Sequence, residues 1–236
     1  MVVLANLTGF DGSPESLRQD VDDRRLPLTV GLRGPVAADI LLRSESEGEV
    51  TMSDRNQAIL YSGGHKGTEA EFGRCAEKWG VRQVTLSYEG HVMEYSKDVE
   101  VLAPAELLKG DVSMEIVSKR LGRTYTSIEQ IRTVCQLIFH MVSRSYTVFV
   151  VGWIQGDDTV QGGTGWGVEL ARFFNRPVSV YDQARHGWFT WKDGHWAPDT
   201  PVIPERPFAA TGTRNLDDEG RKAIGELFER SFGPAK

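Results

Sequence analysis

Cysteine is scarce in this chain: Cys75 and Cys135 are the only two in 236 residues. Both fall on the apolar faces of helical patterns, where a reduced core thiol belongs, and neither has the neighbours of a nucleophile or a metal site. This points away from a disulfide-stapled secreted fold and toward a reducing, cytoplasmic compartment. Long apolar runs are also missing, none approaching the ~20 residues that span a bilayer. The opening Met1-Val2-Val3-Leu4-Ala5-Asn6-Leu7 is short, has no basic lead and reads as a first strand rather than a secretory signal. An excess of positive charge is absent too. The 27 Lys and Arg against 33 Asp and Glu leave a formal net charge of -6, which argues against broad electrostatic binding to nucleic acid. No basic stripe interleaved with aromatics compensates for this. Histidine is sparse: His91, His186 and His195 lie scattered without ligand spacing, and His140 sits among apolar helix positions as a core histidine does. Neither a histidine-based metal site nor a bound cofactor is predicted. Internal repeats and low-complexity tracts are lacking as well.

What remains is the composition of a soluble globular protein, 40% hydrophobic and 25% charged, long enough to bury a sizeable core in one large domain. Against that background two glycine-rich turns stand out, Ser62-Gly63-Gly64-His65-Lys66-Gly67 and Gln161-Gly162-Gly163-Thr164-Gly165. Each follows a run that reads as a buried strand and opens a run that reads as a helix. Amides at a helix start lack backbone partners and carry the positive end of the helix dipole, so an anion is their natural ligand, and glycine lets it approach. Two such turns in an alternating strand-helix pattern predict a crevice at one edge of a sheet that holds a nucleotide-like molecule.

The pattern is least legible over residues 1–55, where a strand at Leu28 to Leu32 is expected. That segment is read as packing on a main domain of residues 56–236. From Asn56 onward the order sharpens. Ala58-Ile59-Leu60-Tyr61 is a strand, Thr68 to Trp79 a helix with Phe72, Cys75, Ala76 and Trp79 at helical spacing, Gly80 its C-cap, and Val81 to Tyr88 the next strand. Pro104 to Arg123 holds one helical stretch and a polar loop. Thr126 or Ser127 caps a long helix with Gln130 near the capping-box position and a stripe of Ile131, Val134, Cys135, Ile138 and Met141 or Val142. Thr147 to Val151 is a near-continuous apolar strand, buried on both faces as in parallel sheets. A helix after the second turn runs through Leu170 and Phe173-Phe174 to about Asn175, and Pro177 to Tyr181 is another strand. Trp188 to Trp196 forms a hairpin turning at Asp193-Gly194. A proline-rich loop from Pro198 to Pro207 leads to a final helix of about Leu216 to Phe232. The predicted class is therefore α/β: a Rossmann-like, doubly wound, mainly parallel sheet with helices on both faces, plus a small C-terminal hairpin and helix.

The string Gln161-Gly162-Gly163-Thr164-Gly165-Trp166-Gly167-Val168-Glu169 resembles the Pro-Gly-Gly-x-Gly-Thr-x-x-Glu motif of the LOG-like nucleoside monophosphate phosphoribohydrolases, with Gln161 in place of proline and Trp166 in place of threonine. Gly162, Gly163, Gly165 and Glu169 match, and the first turn is similar to the first glycine turn of the wider superfamily, which also takes in DprA-like proteins, molybdenum-cofactor carriers and sensors of NAD-derived signals. The resemblance covers about residues 56 to 183. It implies a ligand held between the two turns, a homodimer, and a role for Glu169 in cleaving an N-glycosidic bond.

Each candidate residue has a second reading. Glu169 either reaches back toward its turn as a catalytic carboxylate or is a first-turn acid that complements the helix dipole. The arginine that the hydrolases carry before the second strand is missing: Gln136 or Leu137 occupies that place, leaving Arg132 or Arg144 as substitutes. Lys66 and His65 are candidates for direct polar contact with a phosphate, and Glu69 either stabilises the helix start or bonds a ribose. Asp157-Asp158 bind a ribose or cation, or form a solvated loop tip. Trp188, Trp191 and Trp196 either cover a sheet edge or wall a base. The leading expectation is a nucleotide-binding protein that hydrolyses the N-glycosidic bond of a nucleoside phosphate. The rival is a non-catalytic sensor or carrier of such a ligand, and the missing arginine favours it.

Overall fold

The structure is a computed structural model that describes residues 53–125 and 129–235. The expected strands at Met1–Leu7 and Leu28–Leu32, the role of residues 1–55 up to Met52, and the Thr126 or Ser127 cap lie outside these. Within them the element order begins β1 (Ile59–Ser62), α1 (Thr68–Trp79), β2 (Arg82–Ser87), β3 (Val99–Val101), α2 (Pro104–Leu107), a 3-10 turn (Leu108–Gly110), α3 (Asp111–Arg120) and α4 (Glu129–Ser143). It continues with β4 (Thr147–Gly152), α5 (Thr164–Phe173), β5 (Val178–Asp182), β6 (Gly187–Lys192), β7 (His195–Pro198), β8 (Pro207–Gly212) and α6 (Asp218–Phe232).

Eight strands form one sheet in the order β3-β2-β1-β8-β4-β5-β6-β7. The first six run parallel, and β6 and β7 continue the sheet antiparallel. The expected α/β class, with helices on both faces, is what the structure has. Strand β4 shows why in its side chains. Val148 and Val150 pack into a cluster with α3, α4 and α5, whereas Phe149 and Val151 pack into a second cluster with α1 and α6. Alternate residues point to opposite faces, so a strand covered on both sides must be apolar throughout, and all six β4 residues are buried.

The turn chemistry follows the sequence where the sequence was explicit. Gly80 closes α1 in the left-handed conformation at φ 69° and donates its N-H to carbonyls of the last turn. Asp193 and Gly194, at φ 49° and 82°, make the two-residue hairpin turn between β6 and β7. Asp217 caps α6 through Oδ1, which accepts from the Gly220 N-H at 2.7 Å.

Three elements differ from expectation. The stretch after Pro104 is not one helix but α2, a 3-10 turn and α3. The short edge strand β3 lies between the expected strand β2 and that stretch. Most consequentially, the chain after the proline-rich loop does not pass directly into α6. Residues Pro207–Gly212 enter the middle of the sheet as β8, paired with β1 on one side and β4 on the other. Proline is tolerated at the first position of a strand, and the small Ala209 and Ala210 let helices close over both faces.

Strands β1 and β4 lead to crossovers that go in opposite directions along the sheet. Their C-terminal ends flank a topological switch point, the place where open α/β sheets leave a crevice. The β8 end sits between them.

Cys75 and Cys135 are both free and buried, and burial pushes each thiol up to about 12. A thiol-reactive dye at neutral pH is therefore expected to leave both unmodified in the folded protein and to label both in denaturant. Rapid native labelling of either would contradict their placement in the core.

Candidate functional site

The two glycine turns reach the same crevice, but they arrive in different states. The first is occupied by its own helix. Glu69, the second residue of α1 and 5% exposed, folds its carboxylate back under the turn. Its Oε2 accepts from the N-H of Gly63 at 3.1 Å, the N-H of His65 at 3.2 Å and Nδ1 of His65 at 2.8 Å, while Oε1 accepts from the Thr211 hydroxyl at 2.9 Å. The α1 opening is covered as well: Thr68 donates both its amide and its hydroxyl to the Thr213 carbonyl.

These close approaches account for the glycines. A Cβ at Gly63 would stand 2.8 Å from Glu69 Oε2, and one at Gly67, where φ is +89°, would stand 2.5 Å from the Thr213 carbonyl oxygen. In this turn the Gly63, His65 and Thr68 amides are thus taken by the protein's own oxygens. Of the residues expected there, Ser62, Gly63, Gly64 and Gly67 serve this packing, Lys66 is exposed and outside the cavity walls, and only His65 faces the crevice.

The second turn is open. Gly163 stands at the N-cap of α5 with no side chain capping it, and a Cβ at Gly162 or Gly163 would meet nothing within 4 Å. Among the described residues, the amides of Gly163 and Thr164 have no hydrogen-bond partner. The Gly162 carbonyl accepts from Arg123 Nη1 at 2.6 Å, which fixes the turn from outside. Gly165 is again a packing glycine, its Cβ position 2.3 Å from the Val160 carbonyl oxygen.

Gln161, Gly162, Gly163 and Thr164 form one wall of a cavity of about 420 Å³, with His65 and Glu69 opposite and Thr211 to Asn215 between them. A second cavity of about 840 Å³ lies over the ends of β2 and β3, lined by Tyr88, His91, Val92, Leu102, Leu107 and Val134 among others. His65, Val134 and Arg214 line both cavities. Arg214 is exposed, and its guanidinium has no partner among the described residues. Sequence reading missed it because β8 itself was missed. The signal was the run Phe208-Ala209-Ala210-Thr211-Gly212, an apolar strand ending in glycine like the two already noticed.

A chain of hydrogen bonds crosses between the cavities. His65 Nε2 lies 2.9 Å from His91 Nε2, and His91 Nδ1 lies 3.3 Å from the Ser87 hydroxyl. Burial disfavours charge on His65, but the Glu69 carboxylate outweighs it and raises the imidazole above its ordinary value. Burial likewise disfavours charge on Glu69, and its bonds to His65 and Thr211 overcome this to hold the carboxyl below its usual range. His91 is driven down to about 4 by burial and by the adjacent His65.

The two residues proposed from the sequence as catalytic lie elsewhere. Glu169 does not reach back to its turn. Its Oε1 accepts from Arg120 Nε at 2.5 Å, and Oε2 lies 3.1 Å from Arg172, so it ties α5 to α3. Arg132 pairs with Asp111 on α3, which also accepts from Tyr125 and Gln136. That guanidinium, with the other two donors, holds the Asp111 carboxyl at about 2. Arg144 pairs with Glu100 at 2.8 Å. Asp157 bonds Thr159 within its own loop, and the tryptophan hairpin covers the sheet edge, where Arg172 stacks 3.7 Å from the Trp191 ring centre. His140 donates to the Glu106 carbonyl at 2.8 Å, as a core histidine does. Among the described residues, no helix is long and apolar enough to cross a membrane.

No protein-family model matches the chain, and no curated protein matches it. Among solved structures it is similar to a "putative molybdenum carrier protein" from Syntrophus aciditrophicus, at 14% identity and a TM-score of 0.45, over 75% of this chain and 94% of that one. A likeness at this level says nothing of what the present chain binds, and the LOG-like resemblance rests on the glycine turns alone.

Replacing Glu69 with alanine strands the buried Gly63 amide and the part-buried His65 amide and is expected to lower stability by roughly 2–4 kcal/mol in urea unfolding. A loss within ~0.5 kcal/mol would show that water or another group satisfies the turn equally well. The acid limb of stability has a second expected contributor. Asp111 is held down to about 2 by Arg132, so its share is present above the ordinary carboxylate value and lost as pH falls toward 2. Asp111→Asn should flatten that limb of a melting-temperature profile, and an unchanged slope would remove the pair from the account.

Proposed function

We propose that this chain is a binding protein for an anionic, nucleotide-like small molecule, holding it at the switch-point crevice without turning it over. The observation that carries this reading is the pair of unpartnered amides, Gly163 and Thr164, at the positive end of α5 and on a cavity wall. Arg214 stands on the same cavity and supplies an exposed positive charge, unpaired among the described residues, with a planar fork suited to phosphate. The second cavity, joined to the first at His65 and Arg214, has the apolar and aromatic lining that suits a flat ring: Tyr88, Leu102, Leu107 and Val134. A ligand with an anionic end and a ring end fits both.

The carrier or sensor reading is preferred to the phosphoribohydrolase reading for a chemical reason. Cleaving an N-glycosidic bond needs a carboxylate free to steady the cationic sugar or orient water. Glu169 is bound to two arginines away from the cavity, and Glu69 already accepts four hydrogen bonds.

Calorimetric titration of the full chain with a panel of nucleoside monophosphates and ADP-ribose-like compounds, with chromatography for released base, tests this directly. Saturable binding without base release is expected. Gly163→Val should weaken it at least ~tenfold while the circular dichroism spectrum stays native, because the new side chain enters open space over the amides. Arg214→Ala should weaken it as well, and more at low salt than at high. Base release by the wild-type protein would overturn the non-catalytic reading. Unchanged affinity in Gly163→Val would overturn the anion site.

A further inference from the structure

We propose that His65 and His91 bind one imidazole-preferring divalent transition-metal ion, such as zinc, copper, nickel or cobalt, between their Nε2 atoms. The two residues are far apart in sequence and come from the loops after β1 and β2, which is why spacing did not reveal them. Their Nε2 atoms stand 2.9 Å apart. Two imidazole nitrogens at ~2.0–2.1 Å from a shared ion lie about 2.9 Å apart at a right-angled arrangement and about 3.4 Å at a tetrahedral one, so the ion enters with little movement.

Each ring is already held the way a ligating histidine is held. His65 donates Nδ1-H to the buried Glu69 carboxylate at 2.8 Å, so the neutral ring presents its lone pair at Nε2. His91 has Nδ1 within 3.3 Å of the Ser87 hydroxyl and its ring stacked on Tyr88, with centres 4.5 Å apart and planes 15° apart. Tautomers follow from this. Ionised Glu69 only accepts, so Nδ1 of His65 carries a proton, and the proton shared between the two Nε2 atoms must leave before a cation enters. When a cation takes its place, that proton passes to solvent or to His91 Nδ1, where Ser87 Oγ accepts it. The hydroxyl serves either arrangement because it both donates and accepts.

Both histidines line the larger cavity, and His65 also lines the smaller one. Among the described residues, no group of three or more His, Cys, Asp or Glu side chains is placed to hold a metal. The ion therefore has two protein ligands, with water or a bound molecule in its remaining positions, as in an open site rather than a closed structural one.

The test uses metal ions alone, without nucleotide, so its outcome is separate from that of the anion site. Zinc and nickel are titrated into the full chain by calorimetry, and one equivalent of copper is examined by electron paramagnetic resonance. One saturable site with two-imidazole nitrogen coupling is expected. His91→Gln should weaken it at least ~tenfold and Ser87→Ala by a smaller factor, whereas His186→Gln and His195→Gln leave it unchanged. His65→Gln should also weaken it. Should that variant fail to fold, the half-exposed His91 position decides the matter, with circular dichroism confirming its fold. The absence of a saturable site, or a site that His91→Gln leaves intact, overturns the proposal.

Discussion

The Glu69 carboxylate organises this crevice. It is buried, ionised and bonded on both oxygens, and its partners come from two separate pieces of chain: the turn after β1, through the Gly63 and His65 amides and the His65 ring, and Thr211 at the end of β8. A buried carboxylate without partners would be costly by several kcal/mol, so the turn, the helix and the central strand must come together in one arrangement for it to be tolerated. That requirement sets the first turn's backbone path, orients His65, and brings the Thr211 to Asn215 segment against the crevice. The same bonds occupy the Gly63 and His65 amides from within, whereas the Gly163 and Thr164 amides have no partner among the described residues.

The molecule thus divides two roles that the sequence presents as duplicates. One glycine turn is internal architecture, its glycines required by the protein's own oxygens at 2.1–2.8 Å from a would-be Cβ. The other is open, capped by no side chain and bordered by an exposed arginine. The same local sequence grammar, strand then glycines then helix, serves both, and what separates them is a carboxylate at the second residue of the following helix that folds back in the first case. In the second, Glu169 is the sixth residue of α5 rather than the second and is bound by Arg120 and Arg172. Between the turns, the imidazoles of His65 and His91 occupy the junction of two cavities, where a ligand spanning both would pass.

Much of the fold was legible because it rests on local signals. The apolar run Thr147 to Val151, the Gly80 cap and the Asp193-Gly194 turn each dictate a local shape strongly enough to survive tertiary packing. Strand β8 was not legible: Phe208-Ala209-Ala210-Thr211 is short, contains two residues of modest strand preference and follows prolines, so only its neighbours β1 and β4 make it a strand. The site was less legible still. Whether Gly63 faces a phosphate or Glu69, and whether Glu169 faces a turn or Arg120, depends on groups distant in sequence. Arg214 became visible only with β8 in place, and the pairing of His65 with His91 only with the loops after β1 and β2 side by side.

The central claim is that the Glu69-filled turn is closed to ligand and the α5 opening is not. Amide-resolved nuclear magnetic resonance of the full chain, titrated with adenosine 5'-monophosphate and with ADP-ribose, reads both turns in one experiment. The account predicts that the Gly162, Gly163 and Thr164 amides shift with saturation while those of Gly63 and His65 stay in place and exchange slowly with solvent. Saturating shifts at Gly63 and His65 with the Gly163 and Thr164 amides unmoved would contradict it.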